Sequence, residues 1–280
     1  MHFFKNYVYQ KILPLNSNEK RFFEGGLRLS ENFNKNQPMF SIITVVLNGE
    51  KYLEETILSV LKQNYSDYEY IIIDGGSVDN SVNIIKKYEN KIDYWVSETD
   101  KGLYDAFNKG MILSSGKFIG IINSDDIYTP DALKIISNYI SNNRDIDFIF
   151  GSVKKHWGVL SGYNSKKIFY SWGFYTSHST GFFIKNESAK KVGFYNLKYK
   201  YHADYDYFYR MIVKLKMKGI ATLKDELIGI FRRGGFSSRI SFWKLFKEEI
   251  LIRYDNGQNI LLVAFIFFYK LIFNLKKIFF

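Results

Sequence analysis

Four apolar runs in the first half of the chain each stop at a polar or acidic cluster, and that repetition constrains the fold more than any other feature. Ser41–Leu47 is β-rich and ends in Asn48-Gly49, a turn signal. Tyr68–Ile73 stops at Asp74-Gly75-Gly76-Ser77, Ile92–Val96 leads into the polar stretch Glu98–Asp105, and Phe118–Ile122 leads into Asn123-Ser124-Asp125-Asp126. Between these runs the spacing turns helical: Tyr52, Leu53, Ile57, Val60 and Leu61, then Asn80–Tyr88, then Asp105–Leu113. Strand–helix alternation with unbroken apolar strands predicts an α/β fold, a Rossmann-like and mostly parallel sheet flanked by helices on both faces. Such sheets bind ligands beyond the carboxyl ends of their strands. Here the strand ends deliver carboxylates and amides to one rim. Capping of the following helices accounts for one or two of these residues. It accounts poorly for adjacent Asp125 and Asp126, which repel each other unless a cation or hydrogen-bond donors sit between them.

The pair precedes a helix expected near Pro130, a residue suited to a first helical turn. Carboxylate oxygens favour hard ions such as Mg²⁺ or Mn²⁺, which are held by one or two carboxylates together with substrate phosphate. The expectation is therefore a divalent cation and a diphosphate-bearing ligand. A Walker-type Gly-rich Lys loop is missing, and Gly75-Gly76-Ser77 reads as a tight turn. The 280 residues include no Cys, which excludes a disulfide scaffold, a thiolate zinc site, an iron–sulfur cluster and a Cys nucleophile.

A formal charge of +11 suggests a polyanionic partner: nucleic acid, anionic lipid or a phosphorylated substrate. The excess lies downstream. Residues 207–280 carry nine Lys and five Arg against five Asp/Glu, a net of +9, which leaves +2 for the rest. Ile260–Tyr269 is an unbroken apolar run of ten residues followed by Lys270, marginal against the roughly 20 residues of a membrane span. On a helix, Lys270, Asn274 and Lys277 form a polar stripe opposite Phe267, Phe268, Leu271 and Leu275. That pattern predicts a helix lying in the headgroup region of an anionic membrane; packing against the domain or in an oligomer is the alternative. Met1–Lys11 lacks the apolar stretch of a signal peptide, so a cytoplasmic location is expected. The expected division is an N-terminal extension over 1–38, an α/β domain over 39–240, and a basic, amphipathic helical region over 241–280.

Taken together, Ser41–Asn48, Ile72–Asp79, Ser97–Gly110 and Asn123–Asp126 resemble glycosyltransferase family 2 in order and spacing. The similarity covers about 39–240, with a fainter echo in Glu24-Gly25-Gly26-Leu27-Arg28. It implies a GT-A fold and an inverting, metal-dependent enzyme of the branch that builds bacterial surface polysaccharides: capsule, lipopolysaccharide or exopolysaccharide. The donor would be a nucleotide-diphosphate sugar and the acceptor a glycan or lipid-linked glycan at the inner face of the cell membrane. By the same resemblance, Thr44, Asn48 and Glu50 match the first-strand segment that touches the nucleotide, and Asp74 matches the residue that binds the base. Asp100, Asp105 and Asn108 match the stretch lining the nucleotide-sugar site. Asp125 and Asp126 match the metal motif, with Asp126 the principal ligand of Mn²⁺ or Mg²⁺. Ala203-Asp204-Tyr205-Asp206 resembles the acidic segment that carries the general base, which makes Asp204 the base. His178 falls in a segment similar to the acceptor side, and Arg232 and Arg233 in a loop that closes over the diphosphate.

Two other classes fit the sequence less well. A sugar-phosphate nucleotidyltransferase also uses carboxylates and Mg²⁺, but it needs a Gly-rich, basic loop after the first strand, where this chain has Leu47-Asn48-Gly49-Glu50. A basic module that binds membrane or nucleic acid would explain the charge. It would not explain an acidic rim, which repels phosphodiester backbone, so no nucleic-acid partner is expected.

Overall fold

The computed structural model describes residues 9–14, 20–170, 179–232 and 241–273. Its strands are β1 (Arg21–Gly25), β2 (Phe40–Val46), β3 (Tyr68–Asp74), β4 (Tyr94–Glu98), β5 (Phe118–Asn123), β6 (Ile127–Tyr128), β7 (Phe148–Phe150), β8 (Ser152–Lys155), β9 (Gly158–Leu160), β10 (Phe182–Lys185), β11 (Gly219–Ala221) and β12 (Leu227–Ile230). Its helices are α1 (Leu53–Leu61), α2 (Ser81–Lys87), α3 (Leu103–Leu113), α4 (Ala132–Asn142), α5 (Ser165–Tyr170), α6 (Asn186–Val192), α7 (Ala203–Phe208), α8 (Phe242–Asp255) and α9 (Ile260–Phe273). The four apolar runs become β2 to β5, within two residues of the bounds that their patterns predict.

The main sheet has the order β1-β4-β3-β2-β5-β10-β7-β11. Its centre, β4-β3-β2-β5, is parallel. β1 closes one edge antiparallel to β4, and β10 runs antiparallel between β5 and β7. A smaller sheet, β6-β12-β8-β9, stands beside the end of β5. Alternate side chains serve opposite faces of the main sheet, as a period of two requires. Ile43, Val45, Ile71 and Ile73 pack with Tyr104, Phe107 and Met111 of α3. Ile42, Val46, Tyr70 and Ile72 pack with residues of α1, α2 and α4. Both faces are covered, which is why these strands read as continuous apolar runs.

The sheet begins upstream of residue 39. β1 is one of its strands, and Arg28, 1% exposed, pairs with buried Glu69 at 2.6 Å. Glu69 also accepts hydrogen bonds from Ser41 Oγ at 2.5 Å and Ser115 N at 2.7 Å. The segment therefore runs the length of the sheet edge: Lys20 and Arg21 lie beside Glu98 and Thr99 at the rim end of β4, and Arg28 is tied to the starts of β2 and β3 at the opposite end. The Arg28 guanidinium also donates to Lys11 O and Leu113 O, which offsets part of the cost of burying the pair, while Nε has no partner among the described residues.

α8 and α9 form a helical hairpin, and Lys270, the head of the expected polar stripe, faces the protein rather than the headgroups. Lys270 turns inward and binds both oxygens of Glu249, at 2.7 and 2.6 Å. Glu249 also holds Arg253, which is fully buried and donates to Gln258 and to Phe169 O. Phe267, placed opposite the polar stripe in the sequence reading, stacks on Phe246 of α8 at 5.1 Å. The outward face carries Leu261, Phe265, Phe268 and Ile272, each 57–77% exposed. An anion waiting on α8 makes an inward lysine favourable, and helical periodicity alone cannot reveal it. Asn274, Leu275 and Lys277 lie outside the described residues. Among the described residues, no helix is long and apolar enough to cross a membrane.

Candidate active site

The carboxyl ends of β2 to β5 open onto one rim, and its loops are laced together. Asn48 adopts a left-handed backbone with φ of 51°, which Asn tolerates better than most residues. Its N–H donates to Ser77 Oγ at 2.8 Å, and its Oδ1 accepts from Val78 N at 2.9 Å. Glu50 N–H donates to Asp79 and Glu50 Oε2 accepts from Asn80 N. Asn48 and Glu50 are both solvent-exposed and lock the loop after β2 onto the loop after β3.

Asp74 ends β3 fully buried and accepts from Gly76 N, Ser77 N, Ser77 Oγ and Ser97 Oγ, so it shapes its own turn. Gly75 leaves room for Asp100: a Cβ at Gly75 would lie 2.3 Å from Asp100 Oδ2. Asp100 accepts from Gly102 N at 2.8 Å, and Asp105 reaches back to Lys101 N at 3.0 Å across the start of α3, as a first-turn acid does. Burial pushes the Asp100 carboxyl above its usual range, and the charges of Asp105 and Asp74 add to the effect. Lys109 is paired with Glu98 at 2.8 Å and lies 3.9 Å from Asp105. Besides Asp74, expected at the base but buried with its carboxylate turned onto its own loop, two further expected nucleotide contacts are placed differently. Thr44 is fully buried, with Oγ1 2.9 Å from Tyr70 OH in the core. Asn108 has both ends of its amide on the Tyr195 backbone, at 3.0 and 2.8 Å. Both brace elements under the rim; neither presents its polar group to it.

Asp125 and Asp126 follow β5. Asp125 is partly exposed and Asp126 is fully buried. Asp126 accepts from Thr180 Oγ1 at 2.6 Å and from Arg232 N at 3.2 Å. Its main-chain oxygen accepts from Thr56 Oγ1 of α1 at 2.7 Å. Burial, then the adjacent Asp125 charge, push the Asp126 carboxyl up to about 7 against the hydrogen bonds that favour its anion. Burial also raises Asp125, with the Arg232 charge opposing. Arg232 makes a two-pronged pair with Glu55 and stacks over Tyr52 at 4.6 Å. Lys155, at the end of β8, lies over Phe231 at 4.5 Å. Burial lowers its pKa, while the charges of both Asp126 and Asp204 raise it.

Asp204 occupies the first turn of α7, partly exposed, and accepts from Tyr205 N at 2.9 Å and Tyr104 OH at 3.2 Å. Burial raises its pKa, opposed by His202 and by these two donors. Sequence reasoning missed Lys155, Thr180 and Tyr104. Thr180 lies two residues after His178 in the sequence. Lys155 had no signal, because a Lys-Lys pair in a short strand reads as a solvated face. His178 and Arg233 lie outside the described residues.

The donor set suits a hard divalent ion. It offers two oxygen ligands and no thiolate, and their mutual repulsion is relieved by a cation. Among the described residues, no group of three acidic or His side chains stands ready to hold a metal. Substrate phosphate and water would have to complete the coordination.

The mostly parallel sheet flanked by helices is similar to that of solved GT-A glycosyltransferase structures. S. aureus TarS residues 1–349, in complex with UDP, matches with a TM-score of 0.62 and 20% identity over 77% of this chain and 64% of that one. The mannosyltransferase PcManGT from Pyrobaculum calidifontis, in complex with GDP-Man and Mn²⁺, matches with a TM-score of 0.59 and 13% identity over 79% and 64%. The chain thus spans less than two thirds of these solved chains. A PGL/p-HBAD biosynthesis glycosyltransferase of Mycobacterium tuberculosis is 28% identical over 179 residues, 61% of this chain and 68% of its own length. An uncharacterized glycosyltransferase of Methanocaldococcus jannaschii is 29% identical over 232 residues, 77% and 79% of the two chains. The sequence profile of Glycosyl transferase family 2 matches residues 41–204, more than half of the chain. The chain belongs to glycosyltransferase family 2.

Proposed function

We propose that the protein is an inverting, metal-dependent glycosyltransferase that moves a sugar from a nucleotide-diphosphate sugar to a hydroxyl of a glycan or lipid-linked acceptor. The observation that carries this reading is the pair Asp125 and Asp126 at the carboxyl end of β5, with Thr180 Oγ1 and Arg232 N donating to Asp126, in a chain that matches glycosyltransferase family 2. The UDP, UDP-GlcNAc and GDP-Man complexes of the solved neighbours support a nucleotide-sugar donor. The Mn²⁺ of PcManGT supports a divalent ion on Asp126, with Asp125 beside it. When bound, that ion would neutralise the leaving diphosphate.

The loops after β2 and β3 form the nucleotide side, with Asn48, Glu50 and Asp100 exposed or partly exposed there. Thr44, Asp74 and Asn108 hold those loops and α3 from beneath. Arg232, fixed on Tyr52 and Glu55, supplies positive charge beside Asp125 toward the diphosphate. Asp204 takes the proton of the acceptor hydroxyl as its oxygen attacks the anomeric carbon from the face opposite the leaving group. One displacement inverts that centre, and no covalent sugar–enzyme intermediate forms. The exposed apolar face of α9 and the basic C-terminal quarter support seating on an anionic membrane, where a lipid-linked acceptor of surface-polysaccharide synthesis resides.

The test is product analysis with a panel of nucleotide sugars, with and without Mn²⁺. Glycosyl transfer releases the nucleoside diphosphate; release of pyrophosphate would indicate nucleotidyl transfer. Asp126→Ala is expected to abolish transfer while the circular dichroism spectrum and melting stay those of a folded protein. Asp204→Asn is expected to lower turnover by about 10²- to 10⁴-fold and to spare donor binding. Near-normal transfer by Asp126→Ala with metal present would refute the metal assignment. Loss of donor binding in Asp204→Asn would make that residue structural.

A further inference from the structure

The reading of Asp204 as the base leaves open what holds it in place, and α7 is too short to do so alone. The chain that enters α7 carries three successive backbone N–H groups, and all three point at a single side chain on α8. Lys200 N donates to Glu248 Oε1 at 2.8 Å, and Tyr201 N and His202 N donate to Glu248 Oε2 at 2.8 and 3.0 Å. The His202 ring adds a second tie to the same helix, with Nδ1 3.1 Å from Leu245 O. Asp204 follows two residues later. On the other side of the segment, the Tyr104 hydroxyl lies 3.1 Å from Tyr201 O and 3.2 Å from Asp204 Oδ1. Tyr201 is therefore gripped at its N–H by α8 and at its carbonyl by α3, and the same tyrosine hydroxyl touches the base.

We infer that Glu248 is a positioning residue for Asp204, a carboxylate clamp through which the C-terminal helices set the geometry of the base. This inference rests on the proposed role of Asp204. Charge-assisted hydrogen bonds to a carboxylate are roughly twice as strong as neutral ones, and three of them on consecutive amides leave the loop little freedom. A base must stand within hydrogen-bond reach of the proton it takes, so loosening this loop acts on turnover rather than on the donor site formed by β2 to β5. Glutamine substitutes only in part: its carbonyl oxygen can accept from Tyr201 N and His202 N, but its NH2 group then faces Lys200 N and the charge is lost.

The experiment uses the full chain. Hydrogen exchange is measured over residues 196–208, and steady-state kinetics are measured for wild type, Glu248→Asp, Glu248→Gln and Glu248→Ala. The expected result is faster exchange of the 200–202 amides in the Gln and Ala variants, with kcat lower by about 10- to 100-fold, the scale of a displaced catalytic group. Donor KM is expected to stay within about twofold, and Glu248→Asp to recover part of the rate. Accelerated exchange with unchanged kcat would overturn the inference, as would unchanged exchange. A parallel loss of kcat, donor affinity and melting temperature would overturn it too, by making Glu248 a folding residue. If the wild type transferred no sugar from any donor, the glycosyltransferase reading would fall, and the exchange data would still decide whether the clamp exists.

Discussion

At the scale of single residues, the same burial that shapes the rim sets its pH behaviour. Asp126 has a native pKa of about 7, above its ordinary value. Between about pH 4 and 7 the native state then holds a proton that the unfolded chain has released, so stability falls as pH rises through that window. In the presence of a chelator, the melting temperature of the wild type should decline over this range, while Asp126→Asn should show a flatter profile. Added Mn²⁺ should raise the melting temperature of the wild type above pH 7 and leave Asp126→Asn unmoved. Asp204 is also raised, with Tyr104 OH among the donors that oppose the rise. Its acidic limb in a kcat/KM profile should lie above the usual Asp value of about 4. Tyr104→Phe should move that limb further up while reducing the plateau rate only several-fold; a limb shifted down would remove Tyr104 from the base. Asp125 and Asp126 were legible in the sequence because two adjacent carboxylates at a strand end have few innocent explanations. Thr44 and Asn108 were legible only as members of a motif. Their partners, Tyr70 and the Tyr195 backbone, lie 26 and 87 residues away, and no local pattern shows which way a polar side chain turns.

Among elements, β2 to β5 and α1 to α3 followed from periodicity alone, because a strand buried on both faces has no other way to be written. β1 did not, since an edge strand with exposed Phe22 and Phe23 looks like a polar extension. The orientation of α9 escaped for a related reason: Lys270 is outward by pattern and inward by partner. That partner gives a sharp expectation. Glu249→Ala leaves buried Arg253 and half-buried Lys270 without their anion, a loss of about 3–5 kcal/mol by the usual cost of breaking one side of a buried ion pair. Lys270→Met keeps the Glu249–Arg253 pair and should cost far less, since an apolar side chain of similar length fits against Phe246 and Phe267. Denaturant titration of the two variants separates them. Equal losses would mean that Lys270, not Glu249, is the centre of the network.

For the whole molecule, the distribution of charge and apolar surface bears on where the acceptor is met. The excess charge lies downstream of Tyr207, and the acidic rim lies upstream of it, so, Arg232 apart, the charge that would meet an anionic surface and the residues that would hold the donor fall in different parts of the chain. Between them stands α8, which clamps the base loop on one side and carries α9 on the other. Leu261, Phe265, Phe268 and Ile272 form one outward stripe on α9. Burial of each in lipid is worth about 1–2 kcal/mol at the usual value per unit of apolar area, and each Lys or Arg near an anionic surface adds about 1 kcal/mol. Replacing the four stripe residues by Ser, with the Lys270–Glu249 pair left intact, should therefore release the protein from sedimenting phosphatidylserine vesicles. Lys270→Met should leave vesicle binding unchanged, because that charge faces the protein. High salt should weaken binding of the wild type without abolishing it, as both apolar and ionic contributions operate. Sedimentation of the four-Ser variant at wild-type levels would remove α9 from the membrane. A change from dimer to monomer in the same variant, without any vesicle binding by the wild type, would assign the stripe to a second copy of the chain.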